Sequence, residues 1–169
     1  MTALARVLFP GWHAGGERER LLQVVQPGLV GLIDGTSSPL APLFATAYIA
    51  GSHAALLVGL AAALGAAISM GMSEGLSDDG ELTGRGTSLS RGLITGGGTF
   101  LGGAFHTLPF LIEDVGTALA LAYGIVSIEL FAIAWIRKRY LHVSLRSSLI
   151  QVTLGGAIVA LTGFLVGHA

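Results

Sequence analysis

Five apolar stretches dominate the sequence and restrict the folds open to it. Each has the length of roughly 20 residues that an α-helix needs to cross a hydrocarbon core. The first stretch is the least regular, because TSSPLAP (36–42) contains Pro39 and Pro42. The predicted fold class is therefore all-α, a polytopic membrane protein with five transmembrane helices. The spans lie at about 28–50, 54–76, 89–112, 115–136 and 147–168.

We expect the chain to divide into a cytoplasmic head, residues 1–27, and a five-helix membrane domain, residues 28–169. The head does not read as a cleavable signal peptide, since its apolar stretch is interrupted by Arg6 and followed by a turn-like Pro10. The segment ERERLLQVVQ (17–26) alternates charges and then becomes apolar, which predicts a short helix lying on the membrane surface.

Composition excludes several classes of function. Only 11% of the residues are charged, against about 25% in soluble domains. The chain has no cysteine, so disulfides, thiolate metal sites and cysteine nucleophiles are excluded. No basic run resembles a nucleic-acid arm, no zincin or Gly-x-Ser-x-Gly motif is present, and no cofactor signature occurs. We therefore expect neither an enzyme nor a nucleic-acid-binding protein.

The basic residues predict the orientation of the spans. All nine lysines and arginines fall in the head or in the loops after the second and fourth spans, whereas the opposite side carries Glu113 and Asp114. Basic residues concentrate on the cytoplasmic side of membrane proteins, which predicts a cytoplasmic N-terminus and an external C-terminus. The nine residues are Arg6, Arg18, Arg20, Arg85, Arg91, Arg137, Lys138, Arg139 and Arg146.

Three carboxylates stand within the predicted spans together with the thioether of Met70, and ionisable groups at such positions usually indicate function. Counting along the helices places Asp34, Met70, Glu74 and Glu129 in the cytoplasmic half, although nothing in the sequence proves that they face one another. Carboxylates are hard ligands, and a thioether favours softer first-row ions, so together they predict a divalent cation site. The alternatives are that Met70 packs in the core and that Glu74 reaches the interface.

His106 lies near the outer end of the third span. Imidazole binds metals and exchanges protons near neutral pH, so His106 is a candidate for a secondary metal or proton site. An interhelical hydrogen bond is the equally plain alternative. Glycines spaced four residues apart, such as Gly92 with Gly96 and Gly98 with Gly102, predict close helix packing and are compatible with a dimer.

These residues occur in motifs that resemble the vacuolar iron transporter family. GLIDGTSSPLAPLFA (31–45) is similar to its first-helix Asp-Gly signature, and AAISMGMSEGLS (66–77) is similar to its second-helix pattern. SDDGELTGRG (77–86), HTLPFLI (106–112) and VSIELFAIAWIRKRY (126–140) resemble more narrowly the membrane domain of bacterial membrane-bound ferritins. The resemblance covers about residues 24–169 and places the chain in a bacterial inner membrane.

The resemblance implies an exporter of Fe²⁺, and of Mn²⁺ as an alternative ion, working by proton antiport as a homodimer whose pathway lies between subunits. It implies that Asp34, Met70 and Glu74 bind the ion, with Glu129 as a fourth partner. The family's glutamate-rich insert is missing, and Ala62 stands where some members have a glutamate. The short loop with Asp78, Asp79 and Glu81 is either a reduced entry site or a solvated acidic turn.

The head is too short for a ferritin-like domain, so a soluble ferritin-like partner is expected to deliver the metal. The rival hypothesis is a non-transporting membrane scaffold or metal-sensing subunit that docks a soluble partner on its basic face. The two differ in whether the protein moves metal when it is reconstituted alone.

Overall fold

The computed structural model describes residues 16–80 and 83–169, and throughout these ranges the regular structure is helical, with no strand. This confirms the predicted all-α class. A π-helical turn, Leu21–Val25, joins α1 to α2, and a 3-10 turn, Leu108–Leu111, follows α4. The helices in these ranges are α1 (Glu17–Arg20), α2 (Gln26–Ser37), α3 (Leu40–Ser77), α4 (Ser88–Phe105), α5 (Val115–Leu141) and α6 (Leu145–Gly167).

The N-terminal segment differs from its prediction. Residues 17–26 are helical, but they continue into α2 through the π-helical turn and do not form a separate helix. The rest of the predicted head, residues 1–15, lies outside the described residues.

Two interruptions divide the long helical stretch that begins at Glu17. The first is the turn at Ser38 and Pro39, where proline has no N–H to continue the helical hydrogen bonds. The second is Gly51, whose φ of 83° is readily adopted by glycine and bends α3. The irregular first stretch predicted from the prolines is thus confirmed, and Gly51 falls between the first two predicted spans.

Glycine contacts fix the relative directions of the helices. Gly31 and Gly35 of α2 lie against the backbone of Thr95 and Thr99, so α2 and α4 run parallel. In contrast, Gly71 and Gly75 of α3 lie against successively earlier residues of α4, Gly92 and Ser88, so these helices are antiparallel. At the other end of α3, Gly163 of α6 lies against Ala41 and Gly167 lies against Ala45, which makes this pair parallel.

The core is small and the helices expose large apolar side chains. Leu40, Leu43, Phe44 and Phe110 form its centre, whereas Ile128 of α5 is 69% exposed. A surface of this kind is suited to lipid and not to water. Three helical stretches are long and apolar enough to cross a membrane: Glu17–Ser77, Val115–Leu141 and Leu145–Gly167.

Helix α4 is less hydrophobic than these three stretches because glycine, threonine and Arg91 occupy much of it. It lies between α2 and α3, which shield its polar side chains. The third predicted span, 89–112, corresponds to α4 and the 3-10 turn after it. The helix ends at Phe105, and Pro109 in the following turn cannot donate a helical hydrogen bond.

Candidate functional site

Asp34 lies in the last turn of α2, directly before the break in the helix. Its side chain is half-buried, and its Oδ1 atom accepts a hydrogen bond from the Ser38 hydroxyl at 2.6 Å. Its carbonyl accepts the Ser38 N–H at 2.7 Å. Pro39 and Pro42 have no N–H to donate to the carbonyls of Gly35 and Ser38, one turn before them, so these two oxygen atoms lack their usual helical partner. The arrangement provides hard ligands at one point of an otherwise apolar helix.

Met70 lies close to the depth of Asp34 along the central helix α4. The neighbour of Asp34, Gly35, contacts Thr99, whereas the neighbour of Met70, Gly71, contacts Gly92 and Gly96. With a rise of ~1.5 Å per residue, the two side chains differ by about one turn, or ~5 Å, in depth. Met70 is half-buried. The structure therefore places these two predicted residues near one level.

Glu74 is held in ion pairs that the sequence did not predict. Its Oε1 atom lies 2.7 Å from Arg85 Nη2 and 3.3 Å from Arg91 Nε. Arg91 is fully buried and also pairs with Asp78, its Nη1 lying 3.0 Å from Oδ2. We call Glu74, Asp78, Arg85 and Arg91 the Arg91 cluster. Two guanidinium groups neutralise the Glu74 carboxylate, which makes it a poor cation ligand in this conformation.

The signal for this cluster was present in the sequence only in part. Glu74 and Asp78 are four residues apart, a spacing that would place them on one face if the helix continued, although α3 ends at Ser77. In the sequence alone, the arginines indicate only the orientation of the spans. That Arg91 enters the first turn of α4 and reaches back to Asp78 depends on how the two helices pack.

The loop after α3 is closed by Asp78. Its carboxylate accepts hydrogen bonds from the Thr83 hydroxyl, the Gly80 N–H and Arg91. These donors hold the pKa of Asp78 below its ordinary value of 3.8, with Thr83 contributing most. Asp79 is exposed, and Glu81 lies outside the described residues. Asp78 thus organises the loop, and the predicted entry site remains a prediction.

His106 and Glu129 form a buried pair. His106 Nδ1 lies 3.1 Å from Glu129 Oε2, and their side chains are 0% and 8% exposed. Within the part of the chain that the structure describes, His106 Nε2 and Glu129 Oε1 have no hydrogen-bond partner. Glu129 also lines an apolar hollow of about 530 Å³, together with Phe105 and Ile128.

The contact between His106 and Glu129 corrects the depth in the membrane that was predicted for Glu129. Counting residues from the end of the fourth span placed Glu129 level with Asp34. Its partner His106 instead follows the last residue of α4, about 10 Å beyond the level of Thr99 at ~1.5 Å per residue. Along the same helix Glu74, beside Gly75 and Ser88, lies about 11 Å from Asp34 in the other direction.

The four predicted ligands are therefore not gathered at one point. Over residues 16–80 and 83–169, no three histidine, aspartate or glutamate side chains lie close enough together to hold a metal ion. Asp34 and Met70 share a depth, Glu74 belongs to the Arg91 cluster, and Glu129 pairs with His106.

Comparisons of the chain with models of protein families, with curated proteins and with solved structures find no match. Membership of the vacuolar iron transporter family thus stays a prediction from the motifs in residues 24–169. The structure itself offers two polar features inside an apolar bundle, the helix break at Asp34 and the His106–Glu129 pair.

Proposed function

We propose that this chain is a five-span membrane transporter that exports a divalent cation, Fe²⁺ or Mn²⁺, from the cytoplasm of a bacterium by proton antiport. The observation that carries the proposal is the Asp34 carboxylate, half-buried at a helix break in an apolar stretch of the chain. Interrupted helices supply the ion sites of many secondary transporters, because unwound backbone exposes carbonyl oxygens there.

Five crossings are supported by the helix directions. Helix α2 with the first part of α3 runs one way, the part of α3 after Gly51 runs back, and α4 runs parallel to α2. The short links to α5 and α6 then give a fourth and a fifth crossing. The basic residues at the cytoplasmic ends support an N-terminus inside and a C-terminus outside.

The ion site is proposed to use Asp34 and Met70. The carboxylate and nearby oxygen atoms supply charge and hard ligands, and the thioether favours a late first-row ion over calcium or magnesium. Two side chains are too few to coordinate such an ion. We infer that a second copy of the chain completes the site, so the pathway lies between the subunits of a homodimer.

Glu74 would bind the transported cation only in a different conformation of the protein. Arg85 is 24% exposed and Arg91 is fully buried, so Arg85 is the partner that can leave first. Loss of that ion pair would turn the Glu74 carboxylate towards a cation entering from the cytoplasm. In the conformation described, the Arg91 cluster closes this end of the α3–α4 hairpin.

The His106–Glu129 pair is proposed as the proton-binding site. A carboxylate and an imidazole at 3.1 Å can share one proton, and Glu129 reaches the surface through the hollow beside Phe105. The pair lies about 10 Å from the level of Asp34 along α4. Proton and metal would therefore bind at separate points on one helix, and the two would be coupled by its movement.

The test is metal flux into liposomes with an imposed pH gradient. We expect Asp34→Asn and Met70→Leu to abolish uptake, whereas Glu113→Gln, at an exposed carboxylate in the link before α5, should retain it. Glu129→Gln should retain metal binding but uncouple it from the proton gradient. Unchanged uptake in Asp34→Asn and Met70→Leu would contradict the ion site. A folded wild-type protein that moves no metal alone would favour the scaffold or sensor hypothesis.

A further inference from the structure

A basic hollow of about 570 Å³ lies between the N-terminal helical segment and the end of α5, apart from the residues proposed for transport. Arg18, Arg20 and Arg139 line it together with His142, against a single carboxylate, Glu17. Across the described ranges, none of these three arginines forms an ion pair. Their charges therefore have no carboxylate partner within this part of the protein.

An apolar groove of about 450 Å³ adjoins the basic hollow and runs between α2, α5 and α6. Leu29, Ile33 and Leu130 are among its apolar walls. Its polar end is formed by Arg137 and Gln151, joined by a hydrogen bond of 2.8 Å.

The basic hollow and the groove are neighbours along two helical segments. Val25 lines the hollow and the next residue, Gln26, lines the groove; Tyr140 and Leu141 are related in the same way. A positively charged cavity at the end of the helices thus has an apolar groove as its neighbour along their sides. This is the shape of an anionic head with a hydrocarbon tail.

The geometry points to a binding site for one anionic glycerophospholipid, with its phosphate in the basic hollow and an acyl chain in the groove. Arginine pairs well with phosphate because its planar guanidinium offers several N–H donors. The chain's own residues 1–15 do not complement the hollow, since they contain Arg6 and no acidic residue. A free phosphate ion would leave the groove empty, so the lipid is the occupant that uses both parts.

The experiment measures phosphatidylglycerol bound to the full-length protein in detergent by native mass spectrometry, against phosphatidylcholine with the same acyl chains. A basic residue near an anionic lipid contributes about 1 kcal/mol, or about fivefold in binding. We expect wild type to prefer phosphatidylglycerol, and the combined Arg18→Gln, Arg20→Gln, Arg139→Gln variant to lose roughly 100-fold of that preference. Arg146→Gln, a basic residue outside both cavities, should retain it.

A second variant tests the groove without changing any charge. A Cβ atom at Gly155, which lines the groove, would meet nothing within 4 Å, so Gly155→Leu can fill the groove without a backbone clash. It should reduce binding of both lipids. The matched control is Gly124→Leu, at another open helical glycine outside the groove, which should leave binding unchanged.

Three results would overturn the lipid site. Equal binding of phosphatidylglycerol and phosphatidylcholine by wild type would remove the role of the basic hollow. Displacement of the lipid by glycerol 3-phosphate at equal concentration would indicate a phosphate site without an acyl chain. If Arg146→Gln lost as much of the preference for phosphatidylglycerol as the combined arginine variant, the lipid would be attracted by diffuse surface charge.

Discussion

His106 Nδ1 and Glu129 Oε2 lie 3.1 Å apart and join the end of α4 to the middle of α5. Both side chains are buried in a small bundle whose outer surface is apolar. An unpaired carboxylate or imidazole at such a position carries a desolvation cost that pairing largely removes. The contact therefore fixes α4 against α5 as well as providing a site for a proton.

We expect Glu129→Leu to destabilise the protein by about 1–2 kcal/mol, because His106 is left buried without a partner. Glu129→Gln should cost less, since an amide can still hydrogen-bond to the imidazole. The measurement is thermal unfolding in detergent, completed as a double-mutant cycle with His106→Leu. Additive effects of the two substitutions would show that the pair contributes nothing to stability.

Close packing of α2 on α4 depends on Gly35. A Cβ atom at this position would overlap the Thr99 carbonyl, which belongs to the backbone and cannot move aside cheaply. We expect Gly35→Ala to lose about 2 kcal/mol or more through overpacking. Gly124→Ala, with open space around its Cβ, should be neutral or slightly stabilising because alanine favours helix. Similar unfolding temperatures for the two variants would contradict the packing.

Local features of the sequence predicted where the helices lie better than they predicted the contacts between helices. Pro39 marked the helix break and the apolar stretches marked the helices, because both effects act over a few residues. Glu129 was placed at the wrong depth, since counting from a helix end assumes that all helices are level and upright. The pairing of Glu74 with Arg91 was missed because it joins residues 17 positions apart through the packing of α3 on α4.

The Arg91 cluster predicts unequal roles for its two arginines. Arg91 is fully buried and pairs with two carboxylates, whereas Arg85 is 24% exposed and, among the described residues, pairs with Glu74 alone. Removing one partner from a buried ion pair is costly, so we expect Arg91→Met to lose about 3 kcal/mol. Arg85→Met should lose under about 1 kcal/mol, as for exposed pairs. Equal losses of stability for the two variants, measured by thermal unfolding, would show that the burial of Arg91 does not determine the cost of removing it.

Acid should weaken the loop through Asp78. Because its hydrogen bonds hold the pKa below the ordinary 3.8, the ionised carboxylate stabilises the folded loop. This stabilisation is fully present above pH 3.8 and is lost as the pH falls through the lower native pKa. The protection factors of the amides in residues 83–87, which correct the exchange rate for its intrinsic pH dependence, should therefore fall in acid. Asp78→Asn should exchange faster at neutral pH and show less of this acid dependence; an unchanged profile would contradict the role of Asp78.

The proposed homodimer can be tested at an apolar groove of about 570 Å³ on the outer side of α3 and α4. Gly97 lines this groove, and a Cβ atom there would meet nothing within 4 Å, in contrast to Gly71 and Gly92, which contact each other's backbone. Gly97→Leu should fill the groove while leaving the subunit folded. If a second copy packs here, light scattering in detergent should show monomers for Gly97→Leu and dimers for wild type and Gly124→Leu. A dimer fraction equal to wild type in Gly97→Leu would place the contact between subunits elsewhere.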